Sequence, residues 1–190
     1  MQTDDIPDDH EQKQEYWRSD ALHSIALPPA EPLRSQALAL KQGLAADDKK
    51  AVLVACKSML VELSSFYQVD CPAISILAKR PLKTMDDYVQ ELFGDYTPDT
   101  QKIRLWMRTA IQQKPTSYGV LLSTFVHEFI HHLDIVSLDL PESFHTRGFY
   151  DRVGVLYHHI QNTPVRQIVW RKLSDGTFQV DWARTMATKR

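Results

Sequence analysis

The sequence predicts an α+β fold in which a small antiparallel sheet packs against one long helix and a β-hairpin closes the chain. Three observations lead to this prediction. Apolar residues recur at helical spacing in several segments, other segments alternate with the period of a strand, and the chain contains no internal repeat. The length of 190 residues suits one globular domain, and a hydrophobic fraction of 43% is enough for a packed core.

The composition argues against several classes of protein. With 6 glycines and no repeated G-x-G, the chain lacks the phosphate-binding loop of nucleotide-binding domains. Two cysteines are too few for a disulfide scaffold or a cysteine-rich zinc module. A net charge of −2 does not suit a protein that coats nucleic acid, and no run approaches the ~18 apolar residues of a membrane span. The N-terminus is acidic and unlike a secretory signal, so we expect a cytoplasmic protein with no membrane partner.

The elements follow in order along the chain. Residues 1–27 are predicted to be an acidic, mobile segment, and residues 28–190 a single domain. A helix is predicted over 33–44, followed by a second helix for which Asp47 is the expected N-cap. Cys56 lies on the apolar face of this second helix, so we interpret it as a core residue and not as a nucleophile.

Residues 71–160 are predicted to contain the core of the domain. The predicted elements are a strand over 73–78, a short helix over 85–92, a turn over 95–101, a strand over 101–108, and helices over 117–136 and 143–160. In the strand over 101–108, Ile103, Leu105 and Met107 face inward and the residues between them face water. The terminal hairpin spans 166–182, with Ser-Asp-Gly-Thr at its turn.

The chemistry of the chain is concentrated in His127-Glu128-Phe129-Ile130-His131. At about 100° per residue, the two histidines lie about 40° apart on consecutive turns of one helix, so they can share a metal ion. The apolar residues of this helix occupy the opposite arc. A histidine that belonged to the core would lie within that apolar arc, and these two histidines do not. Glu128 can reach a water bound to that ion from the side. This is the arrangement of a zinc-dependent hydrolase.

A catalytic zinc site usually takes three protein ligands. His145, at the start of the next predicted helix, is our choice for the third. Asp134 is the main rival, although we expect it to orient His131, and Glu142 in the same loop is also possible. His132 points away from the other two histidines and is interpreted as structural or exposed. His158 and His159 are assigned surface or packing roles, and His10 and His23 carry no functional signal.

The run Tyr118–Asp134, followed by Phe144-His-Thr-Arg-Gly-Phe-Tyr150, resembles the SprT-like minimal zincin metallopeptidases. The resemblance covers roughly residues 71–160. It implies a zincin-like fold in which His127, His131 and His145 bind zinc and Glu128 is the general base. It also implies that the strand preceding the active helix, here residues 101–108, runs along the substrate cleft.

The function predicted from the sequence is therefore zinc-dependent hydrolysis of peptide bonds in a protein or peptide substrate. Two alternatives stay open: a metal-stabilised binding or regulatory domain without catalysis, and a zinc hydrolase acting on a non-peptide amide. A donor to the developing oxyanion is also needed, and the candidates are Arg147, Tyr150, Arg152 and Tyr157.

The C-terminal segment from Arg166 onward is basic and carries interleaved aromatic residues. It is interpreted as a capping sheet with a charged outer face, and contact with an acidic partner or a single nucleic-acid strand is the weaker alternative. On charge alone, the acidic N-terminus could dock on it. The sequence contains no feature that predicts an oligomeric state.

Overall fold

The computed structural model describes residues 1–84 and 89–187 as an α+β fold, which confirms the predicted class. The helices are α1 (His10–Ala21), α2 (Ala30–Ala45), α3 (Lys49–Tyr67), α4 (Tyr118–Val136), α5 (Arg147–Gln161) and α6 (Trp182–Ala187). The strands are β1 (Ala73–Lys79), β2 (Leu82–Thr84), β3 (Val89–Glu91), β4 (Gly94–Thr97), β5 (Lys102–Arg108), β6 (Trp170–Lys172) and β7 (Phe178–Val180). Within the described ranges, no helix is both long enough and apolar enough to cross a membrane.

The chain forms two compact units. The central unit is Pro28–Leu133, and the terminal unit combines Met1–Leu27 with Asp134–Arg190. Residues from 134 onward group with the N-terminal segment because α1 packs against α5.

In the central unit, α2 and α3 pack against each other through fully buried leucine, valine and methionine side chains. The N-cap of α3 is Asp48 and not the predicted Asp47: its carboxylate accepts hydrogen bonds from the backbone N–H groups of Lys50 (2.9 Å) and Ala51 (3.0 Å). Cys56 is buried, as predicted, and burial raises the pKa of its thiol to about 12. A thiol in this state does not act as a nucleophile near neutral pH.

The sheet of the central unit has the strand order β1-β5-β4 and is mixed, not antiparallel as predicted. β4 and β5 pair antiparallel across the 3-10 turn Pro98–Thr100, which lies in the predicted turn. β1 pairs parallel with β5 because the long connection between them returns the chain to the end of the sheet where β1 began. β5 is therefore the central strand, with both backbone edges paired.

Two local predictions in this unit differ from the structure. The short helix predicted over 85–92 is not formed at Val89–Glu91, which pair with Leu82–Thr84 as strands; residues 85–88 lie outside the described residues. Trp106, expected to face water, is only 7% exposed. The guanidinium of Arg104 lies over its indole ring at 5.6 Å and covers part of it.

In the terminal unit, the acidic segment is more structured than its composition predicts, because its charged side chains have partners. The Glu15 carboxylate accepts from the backbone N–H of Glu142 (2.8 Å), and Asp20 forms an ion pair with Arg147. Tyr16 is fully buried, whereas Trp17, expected to dock with it, is 41% exposed. Helix formation over His10–Ala21 is started by Asp9, whose side chain caps α1.

The same unit contains the two-stranded sheet of β6 and β7, which pair antiparallel. The N-terminal residues lie against β7: Val180 N–H donates to the Met1 carbonyl (3.0 Å), and Thr3 N–H donates to the Phe178 carbonyl (2.8 Å). The N-terminus thus meets this sheet through backbone hydrogen bonds.

Candidate metal centre

Helix α4 presents His127 and His131 side by side. Their Nε2 atoms are 3.1 Å apart, and both side chains are half-buried. Two nitrogen ligands, each about 2.05 Å from a tetrahedral zinc ion, would be about 3.3 Å apart. The apolar residues predicted to face away from the two histidines are buried except for Val136, which is half-buried; the buried ones are Leu122, Phe125, Val126, Phe129 and Leu133. Burial of that stripe leaves the two imidazoles on the opposite side of the helix.

The third predicted ligand, His145, lies in the loop before α5 and not within the helix. Thr146 is the N-cap of α5, and its hydroxyl accepts from Phe149 N–H. One ring nitrogen from each of His127, His131 and His145 lies within 4.8 Å of the others. Among the described residues, these three histidines are the group of potential metal ligands that lie close enough together to hold an ion. The group includes neither Asp134 nor Glu142.

Glu128, the predicted general base, is buried with 5% of its surface exposed. Burial raises the pKa of its carboxyl to about 8, and the negative charge of nearby Asp95 contributes in the same direction. Burial and the charge of Asp95 thus both favour the neutral form of this carboxyl.

Gly94, at the start of β4, approaches α4 so closely that a Cβ atom there would lie 2.5 Å from the Thr124 Cγ2 methyl and 3.0 Å from Glu128 Oε1. Thr124 cannot easily rotate away, since its hydroxyl donates to the Val120 carbonyl (2.9 Å). No pattern in the sequence predicts this contact, because the two segments are distant along the chain. Glycine here allows the strand to lie directly against the proposed base.

Gly94→Ala is therefore expected to reduce the free energy of unfolding by about 1–3 kcal/mol, the usual cost of overpacking. Gly154→Ala is the matched control: no atom lies within 4 Å of a Cβ at this helical position, so the protein should gain about 0.5–1 kcal/mol. Chemical denaturation measures both. A Gly94→Ala protein as stable as the wild type would contradict the close approach of β4 to α4.

Asp134 does not orient His131, contrary to the sequence-based expectation. Its Oδ2 accepts from Arg152 Nη2 (2.7 Å) and from the Ser143 hydroxyl (3.1 Å). Both Asp134 and Arg152 are fully buried, and Arg152 also donates to the carbonyls of Ser19 and Leu22. A buried guanidinium attracts the carboxylate far more strongly than a half-buried imidazole does, so Asp134 belongs to the interior of the terminal unit.

His132 is buried and structural, one of the two roles expected for it. Its Nδ1 accepts from the Tyr96 hydroxyl (2.9 Å), and its Nε2 donates to the Asp70 carbonyl (2.8 Å). Burial lowers the pKa of this imidazole, which keeps the ring neutral. The Asp70 carbonyl therefore fixes the tautomer and ties α4 to the segment that precedes β1.

The four candidate oxyanion donors have other partners in the terminal unit. Arg152 is fully buried, and Arg147 forms an ion pair with Asp20. The Tyr150 hydroxyl donates to the Gln2 carbonyl (3.3 Å), and that of Tyr157 accepts from the Gln161 amide (3.2 Å). Full burial removes Arg152 from consideration as a group that meets substrate.

The aromatic residues of the basic C-terminal segment also face this unit. The Trp170 and Tyr150 rings are 5.6 Å apart, and the Arg147 guanidinium lies 3.9 Å over the Phe178 ring. Trp182 is 48% exposed. Two of the three aromatic residues of the segment thus pack within the terminal unit.

No protein-family model, curated protein or solved structure matches the chain.

Proposed function

We propose that the protein is a zinc-dependent metallopeptidase of the zincin type, and that the SprT-like resemblance reflects this activity. The observation that carries the proposal is the convergence of three imidazole nitrogens beside a buried glutamate. A purely structural site needs a fourth ligand and has no use for a base. The position of Glu128, directly after His127, is the feature that favours catalysis over a metal-stabilised binding domain.

The donor set fits zinc. Three neutral imidazoles provide the nitrogen ligands that Zn²⁺ binds in catalytic sites, and this leaves a coordination position for water. Zinc held by His127, His131 and His145 would supply a Lewis acid that lowers the pKa of bound water to near 7. Glu128 would accept a proton from the attacking water and deliver it to the nitrogen of the leaving amine.

The substrate chain would lie along β4 and not along residues 101–108. β5 pairs on both sides, so its backbone cannot bind a further strand. β4 is an edge strand among the described residues, and Gly94 brings it next to Glu128. An extended peptide can add to such an edge through backbone hydrogen bonds.

The metal content of the purified full-length protein tests the proposal. We expect about one zinc per chain by mass spectrometry, with hydrolysis of a fluorogenic peptide library lost on chelation and restored by added zinc. His145→Ala should contain far less than one zinc per chain, because two imidazoles remain. The matched control is His158→Ala, which removes a histidine that is bonded to Thr163 and lies outside the cluster.

Two results would contradict the proposal in different ways. Absence of zinc even after reconstitution would remove the metal site altogether. Bound zinc with no hydrolysis of any peptide would favour the metal-stabilised binding domain.

A further inference from the structure

The N-terminal segment, residues 1–4, runs past β7 to the loop that carries His145. Thr3 is buried, and its hydroxyl accepts from Phe178 N–H (3.0 Å). Asp4 N–H then donates to the His145 carbonyl (3.1 Å), and the Tyr16 hydroxyl donates to the Asp4 carbonyl (3.2 Å). The backbone of Asp4 is thus held from both sides, and its side chain has a defined position.

The Asp4 carboxylate contacts His145 twice. Its Oδ2 accepts from the His145 backbone N–H (2.8 Å), and both of its oxygens lie near the imidazole Nδ1, at 3.2 and 3.3 Å. A carboxylate accepts hydrogen bonds only, so Nδ1 must carry the proton in this contact. The lone pair of the ring then resides on Nε2, the nitrogen that is left to bind a metal.

The imidazole has further supports within the terminal unit. Phe149 meets the ring edge to face with centroids 5.0 Å apart, and Tyr150 stacks on it at 5.9 Å and 26°. These contacts restrict the plane of the ring, but they do not choose between its two tautomers. The Asp4 carboxylate does discriminate them, because it can only accept a hydrogen bond.

We propose that Asp4 is the positioning residue for His145: it fixes the Nδ1–H tautomer and so prepares Nε2 to bind zinc. This inference rests on the proposed metallopeptidase function. Carboxylates that accept from a ligating histidine orient the ring and raise its basicity, and their loss typically weakens metal binding about 10–100-fold. A residue at the N-terminus would thereby control the affinity of a site formed more than a hundred residues later.

The test uses Asp4→Ala, Asp4→Asn and the matched control Asp5→Asn in the full-length protein. Asp5 is exposed and adjacent, so its variant removes an equal charge without touching His145. Competition with a chromophoric chelator measures zinc affinity. Nitrogen-15 spectra of the histidine rings in chelated protein report which nitrogen of His145 carries the proton. Thermal unfolding by circular dichroism verifies that each variant folds.

We expect Asp4→Ala to bind zinc about 10–100-fold more weakly and to lose the single Nδ1–H tautomer. Asp4→Asn should recover the tautomer and part of the affinity, because the amide oxygen still accepts a hydrogen bond but carries no charge. Asp5→Asn should match the wild type in both measurements.

The failures are distinguishable. If the wild type binds zinc and Asp4→Ala binds it equally well, the assignment of Asp4 is overturned while the proposed function stands. Equal weakening by Asp5→Asn would also overturn it, since long-range charge would then explain the effect. If the wild type binds no zinc, the proposed function fails and the role of Asp4 fails with it.

Discussion

Glu128→Gln is expected to abolish peptide hydrolysis, lowering kcat by at least about 10²–10⁴-fold, while the protein keeps its zinc. Glutamine has nearly the same shape as glutamate but cannot accept the proton of the attacking water. The three proposed ligands are unchanged, so metal content should stay near that of the wild type. The measurement is kcat on a peptide substrate, together with zinc content by mass spectrometry.

The control for this prediction is Glu142→Gln. Glu142 is exposed and its carboxylate accepts from Gln12 (3.2 Å), outside the group of metal-capable side chains. Its replacement should change neither zinc content nor turnover. Full activity in Glu128→Gln would show that another group takes the proton and that the proposed mechanism is wrong.

Arg152→Met is expected to reduce the free energy of unfolding by about 3–5 kcal/mol, the usual cost of breaking a buried ion pair from one side. The variant would leave the Asp134 carboxylate buried without its cation. Burial already raises the pKa of Asp134, and Arg152 opposes that rise. The reduction in the free energy of unfolding should therefore be largest near neutral pH and become smaller as acid protonates Asp134. Urea denaturation at several pH values measures this reduction and its pH dependence.

Two further variants isolate the cause of this loss. Arg18→Met removes a cation from the exposed Arg18–Asp139 pair of the same unit and should cost no more than about 1 kcal/mol. Combining Arg152→Met with Asp134→Asn should cost less than the sum of the two single changes, since neither charge then remains buried. Strict additivity would mean that the two side chains do not act as a pair.

How far the candidate site could be predicted depended on the distance along the chain between its parts. His127 and His131 are four residues apart on one helix, where local geometry alone brings their rings together. Burial of the apolar face of α4 follows from the same periodicity. Local patterns also predicted that Cys56 is a core residue, that a turn precedes β5 and where most of the helices lie. The structure agrees with these predictions.

Other local patterns failed where tertiary contacts outweighed them. The acidic composition of residues 1–27 predicts mobility, yet α1 forms there because Glu15 and Asp20 find partners distant in sequence. Asp134 lies on the same side of α4 as the histidines by helical angle alone. It bonds to Arg152 instead, because a buried cation is the stronger partner.

The sequence by itself determined the α+β class and the helix that bears two histidines and a glutamate. Only the tertiary structure decided the mixed sheet, the contact of Gly94 with Glu128 and the position of Asp4 beside His145. The physical reason is that periodicity and capping act over a few residues. Strand pairing, buried ion pairs and close packing instead depend on which distant segments come into contact. Local sequence patterns do not predict those contacts.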